Sequence, residues 1–341
     1  MRTVLVTGGS GYFGSILAGM ALEQGDRVRV FDLNPPVPHP GIEYIAGDVR
    51  DRAAVTAACD GADVVLHNVA QVPLARDRDL FRSVNVTGTA NVLLAARDRG
   101  VAKVVHTSSS AIFGIPDHNP VTEDTPGRPL EAYGKAKLEA ELLCRDAAET
   151  GVDVSIVRPR TILGHGRLGI IAVLFEFVAE GAPVYVLGRG HNRYQFVHAN
   201  DLADACLRAA DREKPAVYNI GAGEFGTMRE TLQALVDHAG TGSRVRSLPA
   251  GVARTAMRVA AGVGAAPFAP YHWLLYAESL WFDTTRARSE LGWAPRHSNA
   301  SAVIESYDWF LAHRDDPGAT ERSHHQSPVK LGLLEIFKHL P

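Results

Sequence analysis

The sequence predicts a doubly wound α/β fold, a parallel sheet with helices on both faces. Three observations predict it. Short β-rich runs alternate with longer helical patterns through the first half of the chain. Each run is apolar on both faces, as a parallel strand covered from two sides must be. A turn with glycines at 8, 11 and 14 joins the first run to the first helical pattern, the strand–turn–helix entry of such a sheet.

The elements follow in order. Residues 4–7 form an apolar strand, and residues 15–24 a helix closed by Gly25 at a C-cap position. Strands follow at 28–32, 42–46, 64–67, 104–108 and 154–157, with helices at about 81–99 and 132–150. After Pro159 the regularity weakens. Helices are expected at 168–180, 201–210 and 227–239, and strands at 184–187 and 217–220. Residues 251–277 are rich in Ala and Gly, with the aromatics Phe268, Tyr271, His272, Trp273 and Tyr276. Pro267 and Pro270 interrupt them, so a helix followed by a turn is expected. Residues 283–291 and 301–313 close the globular part. Residues 315–327 are polar and read as a linker, and 329–340 as an amphipathic helix that docks on protein in preference to a membrane surface.

Composition narrows the function. The chain has 341 residues, 46% of them hydrophobic, enough for one large domain or two modest ones. Net charge is −3, so no basic excess exists for a phosphate backbone and nucleic-acid binding is not expected. Cys59, Cys144 and Cys206 are scattered and odd in number, which argues against a zinc site or disulfide framework and for a reducing cytoplasm. Too few residues precede Gly8 for a signal peptide, and no apolar run is long enough to span a membrane. No metal is expected.

The glycine turn points to a phosphate ligand. Gly8, Gly11 and Gly14 let the backbone approach a pyrophosphate, and the following helix N-terminus offers free N–H groups. Asp32 ends the second strand, 18 residues after Gly14. A carboxylate there accepts from both ribose hydroxyls of an adenosine and repels a 2′-phosphate. Leu33 and Asn34 supply no cation for that phosphate, so NAD is favoured over NADP.

With these residues the sequence resembles the extended short-chain dehydrogenase/reductase family, within it the NAD-dependent epimerase/dehydratase group. The resemblance covers roughly residues 2–311. It rests on the glycine spacing, on Gly47-Asp48-Val49-Arg50-Asp51, on His67-Asn68-Val69-Ala70, and on Asn85 in Asn-Val-Thr-Gly-Thr. It implies a Rossmann sheet of about seven parallel strands with a smaller C-terminal substrate lobe. Residues 1–160 plus about 195–222 would form the NAD-binding part, 161–194 plus 223–313 the lobe, and 314–341 a linker and tail. It implies that Asp48 accepts from the adenine amino group. Cofactor contacts are further implied at Tyr12, Phe13, Val49, Val69, Ala70, Asn85 and Pro159, and a substrate contact at Gln71. It also implies a homodimer through helices that include the one carrying Tyr133.

The reacting groups are read from Tyr133-Gly-Lys-Ala-Lys137. On a helix i and i+4 share a face, so the ammonium of Lys137 lies beside the phenol of Tyr133. A free phenol has a pKa of about 10, and a neighbouring cation lowers it toward that of a base for a secondary alcohol. Lys137 can also bind the nicotinamide ribose. Ser108 and Ser109 precede Tyr133 by 25 and 24 residues, at a predicted strand end. The family's Ser-x-x-x-Tyr-Gly pattern reads here Ser109-Ser110-Ala111-Ile112-Phe113-Gly114, which assigns Ser109 to the substrate oxygen, with Ser110 as the fallback. Related dehydratases place Asp-Glu after that hydroxyl residue; Ser110-Ala111 stands here, which argues against dehydration.

Substrate features divide. Residues 193–201 resemble a segment of sugar-nucleotide epimerases in which Arg193 meets a diphosphate, with His198 and Asp201 as packing and capping groups. Residues 282–293 resemble the group's shared C-terminal motif. Thr161, however, stands where the epimerases carry Asn, and residues 270–276 lack a clamping cation. That stretch looks more like the 3β-hydroxysteroid dehydrogenase branch. The expected function is an NAD-dependent sugar or sugar-nucleotide epimerase acting on a small molecule. The alternatives are a dehydrogenase of a hydrophobic or cyclic secondary alcohol and a non-catalytic dinucleotide-binding scaffold.

Overall fold

The computed structural model describes residues 1–71, 78–167, 169–249, 251 and 278–314. Six strands come in the first half and its continuation: β1 (Thr3–Thr7), β2 (Arg27–Asp32), β3 (Ile42–Ala46), β4 (Val64–His67), β5 (Lys103–Thr107) and β6 (Val154–Pro159). Between them run α1 (Tyr12–Glu23), α2 (Arg52–Ala58), α3 (Arg78–Arg82), α4 (Gly88–Arg99) and α5 (Ala132–Glu149). There follow β7 (Thr161–Leu163), α6 (Gly169–Ala179), β8 (Val184–Leu187), β9 (Phe196–His198), α7 (Ala199–Ala210), β10 (Ala216–Ile220), α8 (Met228–Ala239), β11 (Val245–Leu248), α9 (Thr285–Leu291) and α10 (Asn299–His313).

Seven strands form one sheet in the order β10-β6-β5-β4-β1-β2-β3, and every pairing is parallel. The order reverses at β1/β4, where such sheets bind ligands at their C-terminal strand ends. The expected doubly wound Rossmann sheet is therefore present. Side chains alternate across it. Val4 and Val6 of β1 enter the core with Leu17 of α1 and Leu202 of α7, whereas Leu5 enters the opposite core with Val55, Val92 and Cys144. Period-2 alternation with apolar residues on both faces is what covered parallel strands require.

A second assembly packs on its own core. The parallel pairs β8–β11 and β7–β9 accompany α6, α8 and α10, with Phe175, Leu235, Tyr307 and Phe310 buried between them. Capping boxes start α8 at Thr227/Glu230 and α10 at Ser298/Ser301.

Three features differ from expectation. The helix expected over 81–99 is α3, a five-residue π turn (Ser83–Thr87) and α4. The first helix begins at Tyr12, earlier than residue 15. The short elements α2, β7, β9 and β11 carry too few residues to show a period. The helix-turn expected over 251–277 and the linker and tail from 315 lie outside the described residues, apart from Gly251. No described helix is long and apolar enough to cross a membrane.

One buried ion pair joins α5 to the sheet. Arg158 donates through Nε and Nη2 to Glu141, the shortest contact being 2.6 Å, and both side chains are at most 3% exposed. Ser108 donates to the same carboxylate at 2.5 Å, and Arg158 Nη1 to the Glu123 carbonyl at 2.9 Å. Removing one partner strands a buried charge. Glu141→Ala is expected to lower the unfolding free energy by about 3–5 kcal/mol in a urea titration, and Glu141→Leu combined with Arg158→Met to recover most of it. A loss below about 1 kcal/mol for the single variant would show that water or another group supports Arg158.

Candidate active site

The glycine turn is closed by contact with its own backbone. Gly11 N–H donates to the Gly8 carbonyl at 3.1 Å, and a Cβ on Gly14 would sit 2.0 Å from that oxygen. Gly8 has φ +72° and lies under Val69, whose backbone nitrogen a Cβ on Gly8 would meet at 3.0 Å. No side chain caps α1 at Gly11, so the first N–H groups of the helix stay open to an anion. Tyr12 and Phe13 are buried. The Tyr12 hydroxyl lies against Gly164 without a partner, and burial pushes its pKa upward, so only its backbone serves the turn.

Asp32 ends β2 half-buried. One carboxylate oxygen accepts from Ser10 N–H and the other from Asn34 N–H, both at 3.1 Å. Each oxygen keeps a lone pair, as a ribose diol requires. Asp48 is held by Arg50, which keeps its carboxyl below the ordinary range. Val49 is buried against Gly88, its carbonyl accepting from Asn91. Val69 borders the turn at Gly8, and Pro159 pairs with Ile220 at the end of β6. A dinucleotide fits these groups: an open helix end, a turn that excludes a Cβ at Gly14, and an anchored carboxylate at the ribose position.

Asn85 is bonded to the backbone that follows β4. It is 1% exposed in the π turn, and its amide accepts from Gln71 N–H at 2.7 Å and donates to Gln71 C=O at 3.0 Å. It clamps the backbone of Gln71. The extra π residue sets the side chain at that height, a common device near binding sites.

α5 presents the Tyr133–Lys137 pair. Glu131 caps it, accepting from Tyr133 and Gly134 N–H at 2.7 and 2.6 Å. Gly134 lets the helix meet the Ser110–Phe113 turn, since a Cβ there would be 2.5 Å from the Ala111 carbonyl. Tyr133 is half-buried, with Phe81 edge-on at 6.3 Å. Lys137 is 2% exposed and donates to the Thr107 carbonyl at the end of β5 at 2.6 Å. Burial brings its pKa down to about 8, against the opposing pull of Cys144 and Glu141.

The serines separate in role. Ser109 is half-buried and caps the 3₁₀ turn, accepting from Ala111 N–H at 3.2 Å. Ser110 is 2% exposed, and its hydroxyl accepts from Arg160 at 2.8 Å. Thr161 Oγ1 bonds the Tyr194 hydroxyl at 2.8 Å. Arg193 is exposed between the rings of Phe225 (4.9 Å) and Trp281 (4.6 Å), held by aromatic faces rather than a carboxylate. His198 Nδ1 accepts from Asn200 N–H at the start of α7, and Asp201 accepts from His297 at 2.9 Å. His198 Nε2 therefore carries the proton, and it lies 3.7 Å from a Glu305 carboxylate oxygen without a hydrogen bond; His165, His198 and Glu305 lie close enough to suggest metal ligation.

The site thus gathers the glycine turn, Asp32, Val69, Ser109, Tyr133, Lys137 and Pro159 along the C-terminal strand edge, while Arg193 stands on the second assembly. Sequence reasoning overlooked Glu131, Glu141 and Arg160. Glu141 follows Lys137 by four residues on the same helix face, a readable signal.

A family model described as "NAD dependent epimerase/dehydratase family" matches residues 4–221. The chain is 50% identical over 341 residues to a protein of Sinorhizobium fredii described as "Uncharacterized protein y4nG", covering 99% of this chain and 86% of that one. It is 30% identical over 346 residues to a 3 beta-hydroxysteroid dehydrogenase/Delta 5-->4-isomerase of Mycobacterium tuberculosis, covering 91% of this chain and 90% of that one. The structure of the UDP-glucose 4-epimerase of Thermus thermophilus in complex with NAD matches with TM-score 0.73 and 26% identity, covering 91% of this chain and 99% of that one. Glycine turn, sheet order and matched span together make this chain an NAD-dependent enzyme of the epimerase/dehydratase family.

Proposed function

We propose that this enzyme epimerises a secondary alcohol of a sugar or sugar nucleotide through a keto intermediate. The observation that carries the reading is the Tyr133–Lys137 face of α5, seated against the turn that bears Ser109 and the strand end that bears Thr107. Bound NAD supplies the hydride acceptor, and for an epimerase the donor that returns it to the other face. Tyr133 takes the hydroxyl proton as general base. The ammonium of Lys137, fixed on Thr107, favours the phenolate. Ser109 holds the substrate oxygen by hydrogen bonding. Asp32 and the open end of α1 hold the adenosine ribose and pyrophosphate. The similarity to a solved UDP-glucose 4-epimerase supports the substrate class.

A second reading, a dehydrogenase of an apolar cyclic alcohol, is favoured by the aromatic setting of Arg193 and by the 30% identical steroid dehydrogenase. Incubation with NAD and UDP-glucose separates the two. Sugar inversion without net reduced cofactor supports the epimerase. Net reduced cofactor with a 3β-hydroxysteroid, and no inversion of the sugar, supports the dehydrogenase.

Two outcomes test the proton chemistry. Tyr133→Phe is expected to lower kcat by about 10²–10⁴-fold while NAD affinity, read by calorimetry, stays nearly unchanged; wild-type turnover in this variant would remove Tyr133 as the base. Lys137 is charged below a pH of about 8 and neutral above it, so phenolate support is lost as pH rises through that value. kcat/KM is expected to fall on that alkaline side, and the residual activity of Lys137→Arg, which stays charged, to lack the fall. A wild-type profile flat through this pH would contradict the assignment.

A further inference from the structure

Arg158 and Arg160 stand two residues apart, and their surroundings differ in one respect. Arg158 fills its Nε/Nη2 edge with the Glu141 carboxylate. Arg160 is 1% exposed, and the same edge is empty: Nε and Nη2 are both out of solvent contact with no hydrogen-bond acceptor. Among the described residues its one side-chain hydrogen bond, from Nη1, goes to Ser110 Oγ at 2.8 Å. It makes no ion pair among the described residues. Burying a guanidinium without a counter-charge is unfavourable unless its protons are satisfied. The rings of Tyr194 at 4.7 Å and Phe282 at 5.5 Å stabilise the charge and fix the plane, but they accept no N–H on that edge.

The position gives the empty edge a purpose. Arg160 lies between Pro159 at the end of β6 and Thr161, and its amide donates to Ile220 C=O at 2.9 Å. Its partner Ser110 adjoins Ser109. Having accepted from Arg160, the Ser110 hydroxyl can still donate its own proton. An Nε/Nη2 edge matches two oxygens of one carboxylate or phosphate.

We propose that Arg160, with Ser110 of the serine turn, is an oxyanion receptor beyond the end of β6, and that the substrate carries an anionic group that fills the Nε/Nη2 edge. The inference deepens the function proposed above by giving its substrate a charge. Two sources share this chemistry: a carboxylate near the reacting carbinol, or a phosphate of the nucleotide.

The test is thermal unfolding of the NAD-loaded protein with acetate, inorganic phosphate, UDP, UDP-glucose or UDP-glucuronic acid. Wild type is compared with Arg160→Met and Arg160→Lys, each checked for cooperative unfolding and NAD binding. Wild type is expected to be stabilised by at least one of these anions, and Arg160→Met to bind it about 10–100-fold more weakly. Arg160→Lys, which keeps the charge and loses the fork, is expected to regain only part, and it decides the matter where the Met variant fails to fold. Weakening confined to UDP-glucuronic acid and acetate assigns a carboxylate. Equal weakening for phosphate, UDP and both sugars assigns the phosphate. The proposal is overturned if wild type responds to none of them, or if the variants respond as wild type does. Turnover of a neutral alcohol with no anion response would remove the receptor and leave the enzymatic reading. An anion response with no NAD-linked turnover of any alcohol would do the reverse.

Discussion

The placement of one buried ammonium governs the rest of the site. Lys137 must lose its hydration to lie beneath the C-terminal edge of the sheet, and among the described residues a single carbonyl, that of Thr107, receives it directly. That contact sets how far α5 slides along β5, and with it the height of Tyr133 one helical turn earlier. The seat is kept by groups that never meet substrate. Glu131 caps the helix, Gly134 permits its approach to the serine turn, and Glu141, one turn beyond Lys137, is locked to Arg158 and Ser108. Tyr133, Lys137 and Glu141 thus form a spine at i, i+4 and i+8, with the proposed base at its half-buried end and anchorage at its buried end. The same burial that fixes Lys137 lowers its pKa toward neutrality, so precision of placement and readiness to share a proton have one cause.

Much of this was legible because it rests on local pattern. Glycines at 8, 11 and 14 have one purpose in a strand–turn–helix, and the structure shows why for the last of them: only hydrogen fits against the Gly8 carbonyl. Strands buried on both faces announce themselves as unbroken apolar runs, which is why the sheet was readable to within a residue or two at most ends. The Tyr133–Lys137 pair was readable because helical spacing is fixed. What escaped notice depends on geometry that spacing does not encode. The π turn at Ser83–Thr87 inserts one residue into a helix whose composition is ordinary, yet it is what turns Asn85 onto Gln71. Arg158 and Arg160 are the same residue type in one short run, Arg-Pro-Arg. Nothing local says that one meets a carboxylate from α5 and the other does not, because Glu141 lies 17 residues away.

Substrate identity was the least legible part, and the chemistry of the second assembly explains why. In the sheet, cations are answered by carboxylates or carbonyls, and a pattern of charges can be traced. Around the cleft, Arg160 is answered by Tyr194 and Phe282, and Arg193 by Phe225 and Trp281. An aromatic face stabilises a cation without consuming its N–H groups. It therefore leaves the Nε/Nη2 edge of Arg160 unpaired while holding its plane still. A clamp built this way looks, in sequence, like a scattering of core aromatics. A carboxylate in the same place would have spent the donors on the protein itself, as Glu141 does for Arg158. The contrast between those two arginines is the physical ground of the proposed anionic substrate: one guanidinium is closed by a carboxylate, and the other is buried beyond the end of β6 with its Nε/Nη2 edge unpaired among the described residues.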